Sequence, residues 1–336
     1  MRNLFFDRKI FRSATFDFPV ICIGNLSLGG TGKTPMVEYL VKILQENYQV
    51  ATLSRGYKRK TKGFFIATSD SKTSDIGDEP MQFYLKFPDI TVAVDEDRVL
   101  GIPKLLNDKP QTEIIILDDA FQHREVTAGL NLLLTAFSNP YSSDFIIPAG
   151  SLRDVKKSSE RADIIVVTKC NSNLTAEEKQ SLIHELNPKS SQTVFFSTIE
   201  YGSPYHLFGH EIYRLDKETH VLLISGIANP ETIESGISSK VGHFETLRYT
   251  DHHIYDSYDL KKIQEKFSKM DSLKKIILTT EKDATRLLQF EKELREFPVY
   301  VLPMAHRFLF DEAKKFENEI VSFVNSYKVQ RIDVPD

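Results

Sequence analysis

The residues best suited to chemistry lie in Ser27-Leu28-Gly29-Gly30-Thr31-Gly32-Lys33-Thr34. A glycine-rich turn lets backbone N–H groups approach an anion, and the helix N-terminus that follows adds its dipole. Lys33 is placed to reach the β- and γ-phosphates of a nucleotide, and Thr34 to hold Mg²⁺. The expected nucleotide-binding set is Ser27, Gly29, Gly30, Thr31, Gly32, Lys33 and Thr34. The pattern departs from G-x-x-x-x-G-K-[ST] by carrying Ser27 at the first glycine position. A plain strand–helix turn is the competing reading of such a loop.

Carboxylates follow two later elements. The apolar run Ile114-Ile115-Ile116-Leu117 ends in Asp118-Asp119, the arrangement in which a strand tip points a carboxylate at phosphate-bound Mg²⁺. Gly77-Asp78-Glu79-Pro80 offers a second acidic pair, able to hold the metal or to take a proton from an attacking hydroxyl. Both pairs can also be read as helix caps, with Pro80 at an early helical position. Phe121-Gln122-His123-Arg124 sets polar groups beside the first acidic tip.

Three further clusters bear charge. Between Arg55 and Lys62 five basic residues fall in eight positions, with Tyr57 among them. This is either a solvated loop or a basic lip for a phosphorylated or membrane-borne substrate. Arg153 closes Ile147-Pro148-Ala149-Gly150-Ser151-Leu152-Arg153 and suits bidentate phosphate binding. Asp251-His252-His253 lacks partners at zinc spacing. It reads as a surface histidine pair or as an Asp–His pair across a cleft, with His252 orienting a catalytic carboxylate.

Elements must position these groups. Phe18–Ile23, Val50–Leu53, Ile90–Val94, Glu113–Leu117, Leu130–Leu134 and Asp163–Thr168 are short apolar runs that predict strands, and Pro35–Leu44 predicts a helix. Near-continuous apolar strands between helices indicate a parallel sheet covered on both faces, with ligands at the strand C-termini. A second set, Val221–Ser225, Lys275–Thr279 and Val299–Leu302, alternates with helical patterns over Asp259–Met270 and Ala284–Phe297. The expected fold is α/β: a P-loop NTPase-like parallel sheet with helices on both faces, over residues 1–195, and a smaller C-terminal α/β domain over 196–336 that closes over the site. Gln192–Pro204 is the expected connection.

Composition narrows the class. A chain of 336 residues, 41% hydrophobic and 27% charged, suits two packed domains. The net charge of −4 gives no nucleic-acid signal. Two cysteines, Cys22 and Cys170, exclude a disulfide scaffold and fit a reducing cytosol. No stretch reaches the roughly 18–20 apolar residues of a membrane span. The first twelve residues mix Arg2, Asp7, Arg8, Lys9 and Arg12 with Leu4, Phe5, Phe6, Ile10 and Phe11. They suit an anionic membrane surface or an ordinary amphipathic helix.

Taken in order, these motifs resemble the tetraacyldisaccharide 4′-kinases, the lipid A kinases of Gram-negative bacteria. The resemblance rests on Gly24-Asn25-Leu26-Ser27-Leu28-Gly29-Gly30-Thr31-Gly32-Lys33-Thr34-Pro35, Ser54-Arg55-Gly56-Tyr57, Gly77-Asp78-Glu79-Pro80 and Asp118-Asp119-Ala120-Phe121-Gln122-His123. Pro148-Ala149-Gly150-Ser151-Leu152-Arg153, Asp251-His252-His253 and Thr280-Glu281-Lys282-Asp283-Ala284 complete it over nearly the whole chain. It implies ATP-dependent phosphorylation of the 4′-hydroxyl of a tetraacylated glucosamine disaccharide 1-phosphate, by a peripheral enzyme at the cytoplasmic face of the inner membrane. It implies Asp78 as the base supported by His252, Lys33 as stabiliser of phosphoryl charge, and Thr34, Asp118, Asp119 or Glu79 as organisers of Mg²⁺. Arg55, Tyr57, Gln122, His123 and Arg153 are the expected substrate contacts.

Three features depart from the family pattern. Ala120 stands where Gly is usual, and is expected to alter the loop behind Asp119. Ser151 stands where Pro is usual, and is expected to loosen the loop before Arg153. Family members commonly begin with an apolar membrane helix, whereas this chain opens on the basic-aromatic segment that would follow it. Either the protein binds membrane without that helix or the sequence starts late. A competing function is a P-loop switch protein of the partitioning or metal-insertion type. Such proteins often carry Lys where Leu28 stands, and they leave the 55–62 loop and Asp251-His252-His253 without a role.

Overall fold

The computed structural model of the protein describes residues 2–227 and 231–332. In chain order the elements begin with α1 (Arg2–Asp7), β1 (Ala14–Thr15), β2 (Val20–Asn25), α2 (Lys33–Leu44), β3 (Val50–Ser54), β4 (Phe65–Ile66), α3 (Thr73–Ile76) and α4 (Asp78–Lys86). Next come β5 (Thr91–Val94), α5 (Arg98–Asp108), β6 (Ile114–Leu117), β7 (Val126–Thr127), β8 (Leu130–Ala136), β9 (Ile164–Thr168), α6 (Ala176–Leu186) and β10 (Thr193–Tyr201). The remainder are β11 (Tyr205–His206), β12 (His220–Ser225), α7 (Glu231–Ser238), β13 (His243–Arg248), α8 (Ser257–Ser268), β14 (Lys275–Thr280), α9 (Glu281–Leu287), α10 (Glu291–Leu294), β15 (Val299–Leu302), β16 (Met304–Phe308) and α11 (Ala313–Ile332).

The chain divides into two compact units, residues 1–199 with 306–336, and residues 200–305. The first holds a nine-stranded sheet in the order β16-β10-β9-β8-β2-β6-β3-β5-β4. From β10 to β5 every pairing is parallel, and β4 joins the edge antiparallel. Residues alternate between the faces of β2. Val20 and Cys22 pack with Ile102 and Leu105 of α5 and Leu182 and Leu186 of α6. Ile21 and Ile23 pack with Met36, Val37 and Leu40 of α2, Phe83 of α4 and Phe316 of α11. This two-sided burial is why β2 reads as a continuous apolar run. Cys22 and Cys170 are free, buried core residues, and burial pushes both thiols up to about 12.

Sequence pattern alone puts 306–336 in the second unit and makes 192–204 a connection. The structure differs on both. β10 lies inside the 192–204 stretch as a strand of the large sheet, and β16 pairs beside it. On α11, Phe316, Ile320 and Val324 are buried in the first unit's core, each burial worth about 1.5–3 kcal/mol. Linear reading of a chain cannot anticipate such a return.

The second unit holds a five-stranded sheet, β11-β15-β14-β12-β13, parallel except for β11. Leu222, Ile224 and Ile277 face Leu260, Ile263 and Phe267 of α8. Val221, Leu223 and Ile276 face Ile233 and Ile237 of α7. The helix expected over 284–297 is broken into α9 and α10.

Candidate active site

β2 ends in Asn25, and α2 starts eight residues later at Lys33. Strands on both sides of β2, namely β6 and β8, come later in the chain, so the intervening loop opens at the point where strand order reverses. Asn25 organises this loop. Its buried amide donates to Thr31 Oγ1 at 2.9 Å and Gly29 O at 3.4 Å. Its Oδ1 accepts from Lys33 Nζ at 3.2 Å and Arg153 Nη2 at 2.6 Å. Thr168 Oγ1 at the end of β9 donates to Thr31 O at 2.8 Å.

The second flank is tied by the segment before Arg153. Leu28 N donates to Ser151 O at 2.7 Å, and Arg153 N to Leu26 O at 2.8 Å. Ser151 does not loosen this segment, as its replacement of Pro led us to expect. Its N–H donates to Asp144 Oδ1 at 3.1 Å and its hydroxyl to Asp144 Oδ2. That hydroxyl is the main reason the Asp144 carboxyl lies below its ordinary range. A serine thus supplies two donors that a proline lacks.

Asp118 and Asp119 follow β6 in a turn rather than at a helix start, so the cap reading fails for this pair. Asp118 is buried, with Ser54 Oγ of β3 donating at 3.4 Å. Burial first, then the charges of Asp119 and Glu79, push its carboxyl up to about 7. Asp119 adopts φ +48° and turns outward. It meets Lys33 Nζ at 3.5 Å and both terminal nitrogens of Arg153. Burial acts upward on Asp119, but Lys33 and Arg153 outweigh it and hold the carboxyl below its ordinary range. Arg153, read from sequence as a phosphate binder, is engaged by Asp119 and Asn25.

The Ser54-Arg55-Gly56-Tyr57 and Gly77-Asp78-Glu79-Pro80 motifs meet. Gly77 lies at φ +95°, and a Cβ there would stand 3.0 Å from Tyr57 O, so only glycine fits. Gly77 rather than an acid occupies the N-cap of α4, and Asp78 and Glu79 fill its first turn. Their charges suit the helix dipole. α4 is fixed to α2 by buried Glu38, which accepts from Gln82 Nε2 and Lys86 Nζ, each at 2.7 Å. Asp78 is thereby carried on a helix braced against the one that begins with Lys33.

The basic segment is only partly solvated. Arg59 is buried on Glu96 at 2.7 Å and on Gly63 O at 2.6 Å, while Arg55 and Tyr57 are exposed. Gln122 Nε2 donates to Asn25 O at 2.7 Å. His123 is pushed down to about 4 by burial, with Arg98 and Arg55 adding to the effect. His123, Arg98, Arg12, Glu96 and Glu125 line a cavity of about 700 Å³.

Four residues escaped the sequence reading of roles. Asn25 was visible only as part of a motif. Arg98, 2% exposed, has two guanidinium nitrogens with no hydrogen-bond partner among the described residues, and burial lowers its pKa. Lys169 Nζ stands 3.8 Å from where a Cβ on Gly30 would be. His306 Nε2 meets Gly32 O at 2.9 Å. For Asn25 and Arg98, a polar residue at a strand or helix end beside a recognised motif was an available signal. For His306, far away in sequence, there was none.

In the second unit Asp251-His252-His253 is not a surface pair. His252 adopts φ +58°, and its Nε2 lies 3.0 Å from Lys282 Nζ. Lys282 also lies 3.8 Å from Asp251. His253 Nε2 meets Asp259 Oδ2 at 2.6 Å, and its ring stacks on Tyr249 at 4.6 Å. Asp283 of the Thr280-Glu281-Lys282-Asp283-Ala284 motif is buried among Arg286, Tyr255 Oη, Thr280 Oγ1 and Gly226 N.

The donor set suits a hard divalent cation. Thr34, Asp118, Asp119 and Glu79 offer only oxygen, and the Asp118 carboxyl, raised first by burial and then by the charges of Asp119 and Glu79, is one whose charged form a nearby cation would favour. Among the described residues no three His, Cys, Asp or Glu side chains form a metal cage. Mg²⁺ in nucleotide sites takes one or two carboxylates and completes its shell with phosphate oxygens and water.

Comparison with known proteins places this geometry. The family model of tetraacyldisaccharide-1-P 4′-kinases matches residues 1–325. The tetraacyldisaccharide 4′-kinase of Parabacteroides distasonis is 43% identical over 340 residues, covering 97% of this chain and 90% of that protein. That of Phocaeicola vulgatus is 41% identical over 333 residues, covering 96% and 91%. A crystal structure of the Aquifex aeolicus LpxK protein in complex with ATP superposes with a TM-score of 0.73 at 29% identity, covering 96% of this chain and 93% of that one. A phosphate loop shared with switch proteins is therefore not the basis of assignment, and the chain belongs to the tetraacyldisaccharide 4′-kinase family.

Proposed function

We propose that this protein transfers the γ-phosphoryl group of ATP to the 4′-hydroxyl of tetraacyl disaccharide 1-phosphate, at the cytoplasmic face of the inner membrane. The observation that carries the reading is Lys33 at the start of α2, held between Asn25 and Asp119 beside the buried Asp118. Phosphoryl transfer demands positioning and charge stabilisation more than covalent help from the protein.

On this reading the loop from Ser27 to Gly32 and the first N–H groups of α2 cradle the polyphosphate. Lys33 leaves Asp119 to meet the negative charge that grows on the transferring group. Thr34 and Asp118, with Asp119 or Glu79, would hold Mg²⁺, which would supply charge neutralisation on the phosphates. Asp78 accepts the proton of the 4′-hydroxyl, and His252 supports it in that role. Arg55, Tyr57, Gln122 and His123 contact the acceptor. Arg153 acts by orienting Asp119 and Asn25. Exposed Leu4, Ile10 and Phe11 near α1, together with neighbouring basic residues, suit the anionic lipid surface on which the acceptor resides. Among the described residues no helix is long and apolar enough to cross a membrane.

The test is an ATP-dependent assay with the tetraacyl disaccharide 1-phosphate in detergent micelles. Phosphate on the 4′ position supports the reading, and no transfer by folded protein beside a working relative refutes it. Asp78→Asn lowers kcat by roughly 10²–10⁴-fold with ATP affinity retained, as expected for loss of a general base. The double variant with His252→Ala falls no further than Asp78→Asn alone if the two act as a unit.

A further inference from the structure

We propose that His306 is a positioning residue of the nucleotide site, holding the last peptide of the phosphate loop in its anion-binding orientation. The inference rests on nucleotide binding by this loop, and the identity of the acceptor does not enter it.

Gly32 is the N-cap of α2 and lies at φ +84°, ψ +25°. With no side chain it supplies no cap of its own, so the loop needs support from elsewhere. His306 on β16 provides it. Its Nε2 lies 2.9 Å from Gly32 O, and its Nδ1 lies 3.0 Å from Ser197 Oγ on β10. A carbonyl can only accept, so the proton must sit on Nε2. Nδ1 is then bare and accepts from the Ser197 hydroxyl. Ring and hydroxyl are both buried, at 4% and 0% exposure. Burial keeps the imidazole neutral down to a pKa of about 4, so this tautomer persists across the working range of pH.

The consequence follows from peptide geometry. Gly32 O accepts from both Met36 N, at 3.2 Å, and His306 Nε2. In a trans peptide the next N–H points opposite to the carbonyl. Fixing Gly32 O therefore aims Lys33 N–H out of the helix end and toward the phosphates. The fit is two-sided, since a Cβ at Gly32 would approach the imidazole ring to 3.1 Å. His306 is the first residue of the first unit after the chain returns from the second. The loop near the start of the sequence is thus buttressed by a residue 274 positions later.

Four variants separate donor, volume and tautomer. His306→Phe keeps the ring volume without the donor, and His306→Gln restores an N–H near the Nε2 position. His306→Ala removes both. Ser197→Ala keeps the ring but frees its tautomer. Isothermal titration with Mg²⁺-ATP should show about tenfold weaker binding for the Phe and Ala variants, the scale of one buried neutral hydrogen bond. The Gln variant should recover most of the loss, and Ser197→Ala should lie between. KM for the lipid acceptor stays unchanged. Wild-type ATP affinity in His306→Phe overturns the proposal, as does failure of His306→Gln to recover affinity at an unchanged melting temperature. Should the Phe variant not fold, ¹⁵N shifts of the His306 ring in the full chain decide: Nε2 protonated supports the proposal, and Nδ1 protonated overturns it. A chain that binds ATP as described yet phosphorylates no lipid refutes the proposed acceptor and leaves this inference standing.

Discussion

Replacing Asn25 by alanine should disconnect the phosphate loop from the two cations that serve it. Asn25 is 0% exposed, and its side chain makes four contacts: with Thr31, Gly29, Lys33 and Arg153. The neutral bond to Thr31 contributes about 1 kcal/mol, and bonds to charged partners contribute about 1.5–3 kcal/mol each. Lys33 and Arg153 both retain Asp119, so the lower end applies to each, and the contact at 3.4 Å adds little. The expected destabilisation is about 4 kcal/mol. With a urea dependence of about 2 kcal/mol/M, that moves the unfolding midpoint down by about 2 M. The chain has no tryptophan, so far-UV circular dichroism is the suitable probe. ATP affinity should fall in parallel, because Thr31 and Lys33 lose their shared anchor. Asn25→Asp separates the two effects. It keeps an acceptor for both cations but cannot donate to Thr31 or Gly29, and its charge competes with phosphate for Lys33. It should cost about 1 kcal/mol in stability yet weaken ATP binding at least as much as Asn25→Ala. An Asn25→Ala protein that unfolds within about 0.5 kcal/mol of wild type and binds ATP normally refutes the assignment of Asn25 as the organiser of the loop.

Three further outcomes are expected. Ser151→Ala removes the hydroxyl donor to Asp144 and should lower stability by about 1.5–3 kcal/mol in the same urea titration, while the main-chain bond from Leu28 N to Ser151 O is kept. His306 lies near 4 in the folded protein against 6.5 ordinarily, so the unfolded chain binds more protons between those values. Its contribution, about 3 kcal/mol, is present in full above pH 6.5 and is lost as pH falls toward 4. His123 acts in the same direction. Denaturation at pH 7.5 and 4.5 should show His306→Phe losing less stability on acidification than wild type, and an equal loss would refute the assignment. Finally, sedimentation with anionic vesicles should fall when residues 2–12 are deleted, and unchanged sedimentation would dismiss a membrane role for the exposed Leu4, Ile10 and Phe11.

Local order was legible in the sequence because local forces write it. Apolar runs marked β2, β3, β6, β8, β9, β12, β14 and β15 to within a few residues, since strands buried on both faces tolerate little polarity. The strand–loop–helix around Lys33 and the acidic tip after β6 followed from spacing and from the chemistry of phosphate and carboxylate. Family resemblance supplied the acceptor, which no local pattern specifies.

What the linear chain determined by itself was therefore the inventory: which segments become strands, which loops can cradle phosphate, and which side chains can carry charge or protons. Tertiary structure decided their employment. Arg153 looks like a lone phosphate binder in sequence, and folding sets it beside Lys33 on the same Asn25 and Asp119. Ser151 looks like a weakened proline position, yet Asp144 makes it an anchor. The residues after 305 look like the end of a second domain, yet β16 and α11 close the first unit's sheet and core. They also deliver His306 to Gly32. Such outcomes depend on buried hydrogen bonds between residues up to hundreds of positions apart. Their energies exist only once packing has excluded water, so no local sequence pattern records them.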